Sequence, residues 1–245
     1  MGTSVVSYGL QYGCILIEAA LIICVARSSH RSRLVGVLLY ASCLLATALA
    51  RNYALCMYGL ASRRYYYVYW STDFLLVIAA FLLVCLFFRR ACLQQEKMWR
   101  SVRLLLLFVF ILVIAFSSLT FSRHYSHLFT YFIVEFNQNL YFTCLVLNTL
   151  LYILLQQIES TDDELGLLVC GVGIQFAGPA AALALVHLTT GEGFARSLFY
   201  FMIPLCTFGT LLVWAYTILH VKDNATKVTR REIPVLAEVT AHLNV

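Results

Sequence analysis

The sequence predicts an all-α fold: a polytopic membrane protein built as a bundle of seven transmembrane helices. Three observations carry that expectation. Hydrophobic residues make up 62% of the 245-residue chain and charged residues only 12%, about half the roughly 25% of an ordinary soluble domain. The apolar residues fall into seven runs, each near the roughly 20 residues a helix needs to cross hydrocarbon. The basic residues gather between these runs. One soluble core of this length could not hide so much apolar surface, so the solvent is lipid.

The runs are Val6–Ala26, Leu34–Met57, Val68–Phe88, Val102–Phe121, Leu128–Leu155, Leu165–Thr189 and Ala195–His220. The first has no basic residue before it and no small-residue cleavage site after it, so it reads as a helix and not a signal peptide. The connecting segments are short. Residues 1–220 are expected to form the transmembrane domain and residues 221–245 a cytoplasmic tail too short for an output module.

Basic residues set the direction. Twelve lie on one side, in the segments holding Arg27, Arg31 and Arg33, then Arg89 to Arg103, then Lys222 to Arg231. Five lie on the other: Arg51, Arg63, Arg64, Arg123 and Arg196. The richer side is expected to be cytoplasmic, which places the N-terminus outside a plasma or inner membrane. A net charge of +5 therefore points to membrane orientation and anionic lipid head groups, not to nucleic acid. The acidic stretch Glu159–Glu164 falls on the inner side, with capping-box spacing from Thr161 to Glu164.

None of the nine cysteines forms a CxxC, and nearly all sit in apolar runs as small apolar side chains. Cys92 follows an arginine pair at a membrane edge, where acylation is conceivable chemistry. Packing faces are expected where small residues allow close approach: Gly9 and Gly13 in the first segment, and Gly173, Ala177 and Ala181 in the sixth, which reads as the central helix. Pro179 and Pro204 predict kinks.

Ionisable groups in hydrocarbon cost about 2.5–3.5 kcal/mol each on insertion scales and usually face the bundle interior. Glu18, Asp73 and Glu135 are the acids so placed. On the fifth segment, His124, His127, Tyr131, Gln138 and Asn139 fall within about 80° of Glu135 at 100° per residue. Gln11, Cys14 and Glu18 share a face of the first segment, and Tyr66, Tyr69, Trp70 and Asp73 a face of the third. Arg51 and His187 complete a set concentrated in the outer half. Two arrangements satisfy such groups: an outward-facing polar cavity, or an interhelical network with Asp73 paired to Arg51 and the tyrosines forming an interfacial belt. His124, His127 and Glu135 are the nearest approach to a metal-ligand set, but one helix would have to supply them all; neither metal nor cofactor is expected.

The size and helix number invite comparison with microbial rhodopsins, which hold retinal on a lysine of the seventh helix. The lysines here are Lys97, Lys222 and Lys227, all outside the apolar runs. The motifs of the largest receptor class are absent too: the third segment ends Phe87-Phe88-Arg89-Arg90, and Pro204 stands in Ile-Pro-Leu. The segment Tyr65-Tyr66-Tyr67-Val68-Tyr69-Trp70, with the apolar run after it, resembles a group of uncharacterised bacterial seven-helix membrane proteins. That resemblance implies the helix number and no activity.

Two functional readings follow. One is a non-enzymatic receptor-like protein, or a scaffold or subunit of a membrane complex, whose basic inner loops meet anionic lipid, other membrane subunits or a soluble cytoplasmic partner. The other is a transporter or channel for a small solute or protons, using the intramembrane carboxylates. Against transport, the inner halves of segments three, five and seven read as apolar. No GxSxG, HExxH or paired-acid motif suggests an enzyme.

Overall fold

A computed structural model describes residues 2–28, 33–59, 62–93, 96–119, 128–158, 162–188 and 201–220. Side chains at 2–8, 96, 119, 128–131, 179 and 182–188 fall outside that description. The chain runs through α1 (Gly2–Ala26), α2 (Val35–Tyr58), α3 (Arg63–Ala91), α4 (Glu96–Leu119), α5 (Leu128–Gln157), α6 (Asp163–Leu188) and α7 (Phe201–His220), with no strand among the described residues. Among the described residues, six helices (α1, α2, α3, α4, α5 and α7) are long and apolar enough to cross a membrane by length and composition. The expected tail at 221–245 and the loop residues Glu159 to Thr161 lie outside the described residues.

Several helices, α1, α3 and α4 among them, begin before their apolar runs, because backbone hydrogen bonding does not depend on side-chain hydrophobicity. α3 begins at Arg63, so the tyrosine run is helical. Ser62 caps it, its hydroxyl accepting from the Arg64 N–H at 3.2 Å. α4 begins at Glu96 and carries Lys97, Arg100 and Arg103 on its exposed first turns. At α6 the cap is Asp162: its Oδ1 accepts from the Leu165 N–H at 3.3 Å. That replaces the expected cap Thr161, because Asp162 directly precedes the first helical residue.

α3 is the hub of the bundle, packing against α2, α4, α5 and α6. The sixth segment was the expected centre; the structure gives that place to α3. The reason is visible in its sequence. Val77, Ala79, Ala80, Phe81, Leu83, Val84, Phe87 and Phe88 are all buried, and they cover more than one side of the helix. On α2, Gly36 admits Leu83 and Leu86 of α3, whose methyls would stand 3.1–3.2 Å from a Cβ there.

The small-residue faces differ from the expected ones. A Cβ at Gly9 or Gly13 would meet nothing within 4 Å, and Ala177 and Ala181 are exposed. The close approaches on α6 are made by Gly171 and Gly178 against α7, two turns apart on one face. A Cβ on Gly171 would stand 2.7 Å from Trp214 Nε1, and one on Gly178 would run into Cys206 Sγ. Gly173 does approach α5, where Asn148 Nδ2 would lie 3.2 Å from its Cβ. α6 is thus clasped between α5 and α7. Trp214 donates to the Leu168 carbonyl at 3.1 Å, Thr210 to Gly171 at 2.9 Å, and Asn148 to Val169 at 3.2 Å.

At the C-terminal end of α3, Arg90 ties this helix to the start of α6. Its Nε and Nη2 donate to the two Asp162 oxygens at 3.0 Å each, and Nη1 donates to Glu164 at 3.1 Å. Arg90 therefore leaves the set of inner basic residues expected to serve a partner or lipid. Cys92 next to it is 1% exposed, and burial pushes its thiol above the ordinary range. A thiol so enclosed does not suit acylation.

Candidate functional site

The polar interior assembles around Asp73 on α3. Arg51 of α2 donates from Nη2 to Asp73 Oδ1 at 3.1 Å and from Nε to Thr72 Oγ1 at 2.9 Å. Its guanidinium lies 4.4 Å from the Tyr69 ring centroid, within cation–π range. Asn137 of α5 donates to the other carboxylate oxygen, Asp73 Oδ2, at 2.9 Å. Arg51 and Asp73 side chains keep 23% and 29% of their surface, so the pair is partly open and not sealed in the core. The expected Arg51–Asp73 network is present, with Asn137 as an unforeseen third member.

The tyrosine run lies beside this pair as one aromatic stack. Tyr69 and Tyr66 each meet Trp70 edge-on, at 5.7 and 5.9 Å. Arg63 and Arg64 lie over the rings of Tyr67 and Tyr58. Basic and aromatic side chains at the N-terminal end of α3 thus pair with one another, the pattern expected of an interfacial belt.

Glu18 stands deeper. It is 3% exposed, on the stripe Cys14, Glu18, Leu21 and Val25 that α1 turns inward. Cys14 Sγ lies 3.7 Å from the Pro204 carbonyl, which brings α1 beside α7. Tyr40 of α2 is buried and meets Trp214 of α7 edge-on at 5.9 Å, and Tyr141 of α5 meets Phe176 of α6 edge-on at 4.9 Å. Tyr141 donates to the Gln175 carbonyl at 2.7 Å, and the Gln175 amide to Thr207 at 3.2 Å. Side chains from six helices, α1, α2, α3, α5, α6 and α7, therefore share one interior. The sequence pattern does not single out Tyr40, Asn137, Tyr141 or Gln175. Tyrosines and amides scattered singly among apolar residues carry no periodic signal.

Four buried side-chain atoms in this interior lack a hydrogen-bond partner: Glu18 Oε2, Asn137 Oδ1, Asn148 Oδ1 and Gln175 Oε1. All four are oxygens. Buried polar groups are ordinarily paired, so each such orphan needs an occupant such as water or a ligand.

α5 turns a different face inward from the expected one. Ile133, Phe136, Asn137, Leu140, Cys144, Leu147, Asn148 and Leu151 are buried, whereas Gln138 and Phe142 are exposed and Glu135 is half-buried. Glu135 lies about 160° from Asn137 at 100° per residue, so its stripe points away from Asp73. Asn139 reaches sideways to α4, donating to Ser117 at 3.2 Å. The physical reason is that α5 buries its most continuous apolar stripe, with two amides embedded in it. His124 and His127 lie outside the described residues, as do the side chains of Tyr131 and His187. Among the described residues no group of three or more His, Cys, Asp or Glu gathers as a metal site.

The half of the bundle nearer Arg90 is less apolar than expected. Asn148, Thr210 and Thr217 are all buried there, and Trp214 meets Tyr40 edge-on at 5.9 Å. No protein-family model, curated protein or solved structure matches the chain, so the interior between the helices is what its chemistry must be read from.

Proposed function

We propose that this chain is a seven-helix integral membrane protein, N-terminus outside and C-terminus cytoplasmic, that works as a non-enzymatic receptor-like protein. It takes a small polar ligand between α1, α2, α3, α5, α6 and α7 and presents its inner face to another component of the cell. One observation carries this reading: polar groups from six helices converge on an interior that keeps unpartnered oxygens on Glu18, Asn137 and Gln175. A bundle held together by lipid-style packing alone needs none of them. The outer entrance is the partly open Arg51–Asp73 pair. At the inner end, Arg27, Arg33, Arg89, Lys97, Arg100 and Arg103 are exposed and suit anionic lipid or an acidic cytoplasmic surface.

Transport is a second reading, favoured by the buried polar groups Asn148, Thr210 and Thr217 below the Asp73 level. Extraction of the native protein in mild detergent, with bound small molecules and proteins identified by mass spectrometry, separates the two. The receptor reading expects a small molecule that is lost from Asp73→Asn, a co-purifying partner, and no solute or proton flux in proteoliposomes. Flux that Glu18→Gln abolishes would replace it with transport. A preparation carrying neither ligand nor partner, and conducting nothing, would leave these polar groups purely structural.

A further inference from the structure

We infer that the interior ligand is a small organic ammonium ion, a cation bearing N–H donors; this rests on the reading that a ligand occupies the interior. The unfilled hydrogen-bonding capacity is all of one kind. Glu18 Oε2, Asn137 Oδ1 and Gln175 Oε1 are acceptors, and their side chains are more than nine-tenths buried. An occupant that satisfies them must donate. An anion or a bare carbonyl ligand would add acceptors to a site that already has too many.

Charge points the same way. Glu18 and Asp73 are the acids of this interior, and Arg51, its guanidinium, is already bonded to Asp73. The three ion pairs among the described residues leave Glu18 out. A monovalent cation beside Glu18 balances the site. The walls suit an organic cation better than a metal ion. Aromatic rings stand in the same core, Tyr40 edge-on to Trp214 at 5.9 Å and Tyr141 edge-on to Phe176 at 4.9 Å, and aromatic rings attract an alkylammonium. The groups that could ligate a metal are carboxyl and amide oxygens on separate helices, with no cluster of three or more His, Cys, Asp or Glu among the described residues.

The full chain in nanodiscs of neutral phosphatidylcholine removes anionic lipid as a competing cation site. Four probes at equal ionic strength then test the class: butylammonium, tetramethylammonium, butanol and butyrate. Butylammonium should raise the thermal midpoint saturably, with tetramethylammonium, which lacks N–H donors, at least about tenfold weaker and the other two inert. Glu18→Gln should raise the half-saturating butylammonium concentration by about tenfold or more; its unliganded midpoint and elution profile report whether it folds, and Tyr40→Phe supplies a second variant with a smaller loss. If butanol or butyrate stabilises instead, and Asn137→Ala abolishes the effect, an interior ligand site stands and the ammonium class is overturned. Equal response of Glu18→Gln and wild type also overturns it. No stabilisation by any probe overturns both the class and the interior site.

Discussion

Arg89 and Arg90 are neighbours in sequence with opposite fates. Arg90 sits with 12% of its side chain exposed, holding Asp162 through two donors and Glu164 through a third. Arg89 points away and is exposed. A planar fork is what makes two parallel bonds to one carboxylate, and lysine cannot reproduce it. Arg90→Lys should therefore cost about 1–2 kcal/mol of stability, below the range for fully buried pairs because Asp162 remains partly solvated. Arg89→Lys should stay within about 0.5 kcal/mol. SDS-induced unfolding followed by circular dichroism measures both; equal effects would mean that the α3–α6 tie contributes nothing beyond charge. The same contrast holds at the other end of the bundle. There Arg51 is committed to Asp73, Thr72 and the Tyr69 ring, so the residues that read as charge in the sequence serve as structure on one helix face and as surface on the next.

Among elements, the α6–α7 seam is set by glycines that leave no room for a methyl group. Gly171→Ala would press on Trp214 and disturb its bond to the Leu168 carbonyl, while Gly178→Ala would meet the Cys206 sulfur. Overpacking of this kind typically costs about 1–3 kcal/mol. Both changes should fall in that range, with Cys206→Ala relieving Gly178→Ala in part and leaving Gly171→Ala unimproved. Gly13→Ala, which meets nothing within 4 Å, should be neutral or slightly stabilising, since alanine is the better helix former. Thermal unfolding in one detergent compares all four. The example also marks what was legible. The number and order of helices followed from hydrophobic run length, which is a property of each segment alone. The Arg51–Asp73 pair was legible because opposite charges set among long apolar runs are expected to find each other. Which face of α5 or α6 turns inward was not. In a soluble helix polarity marks the outside; in a bundle both outside and inside are largely apolar. The polar stripe at Glu135 was therefore no guide to the side on which Asn137 meets Asp73. Gly171 and Gly178 likewise became packing positions only through the bulk of Trp214 and Cys206 on another helix.

For the whole molecule, the contacts between helices and the distribution of charge make one claim about direction. The Arg51–Asp73 pair and the α3 tyrosine stack mark one end; the Arg90 cluster and the exposed Arg27, Arg33, Lys97, Arg100 and Arg103 mark the other. Neighbouring helices agree on this polarity. Arg51 lies near the C-terminal end of α2 and Asp73 in the first half of α3, while Arg90 at the end of α3 meets Asp162 at the start of α6. The richer basic end should face the cytoplasm, with its exposed side chains near anionic head groups, each contributing about 1 kcal/mol. A cysteine-free variant carrying Leu93→Cys, at an exposed position just beyond α3, should resist a membrane-impermeant maleimide in intact cells and react once they are permeabilised. Ala61→Cys, between α2 and α3, should react from the start. The reverse pattern would invert the orientation and place the Arg51–Asp73 entrance on the cytoplasmic side. Labelling of both sites in intact cells would contradict α3 as a membrane-crossing helix altogether. That outcome would also remove the low-dielectric surroundings on which the argument for Glu18, Asp73 and their interior ligand depends.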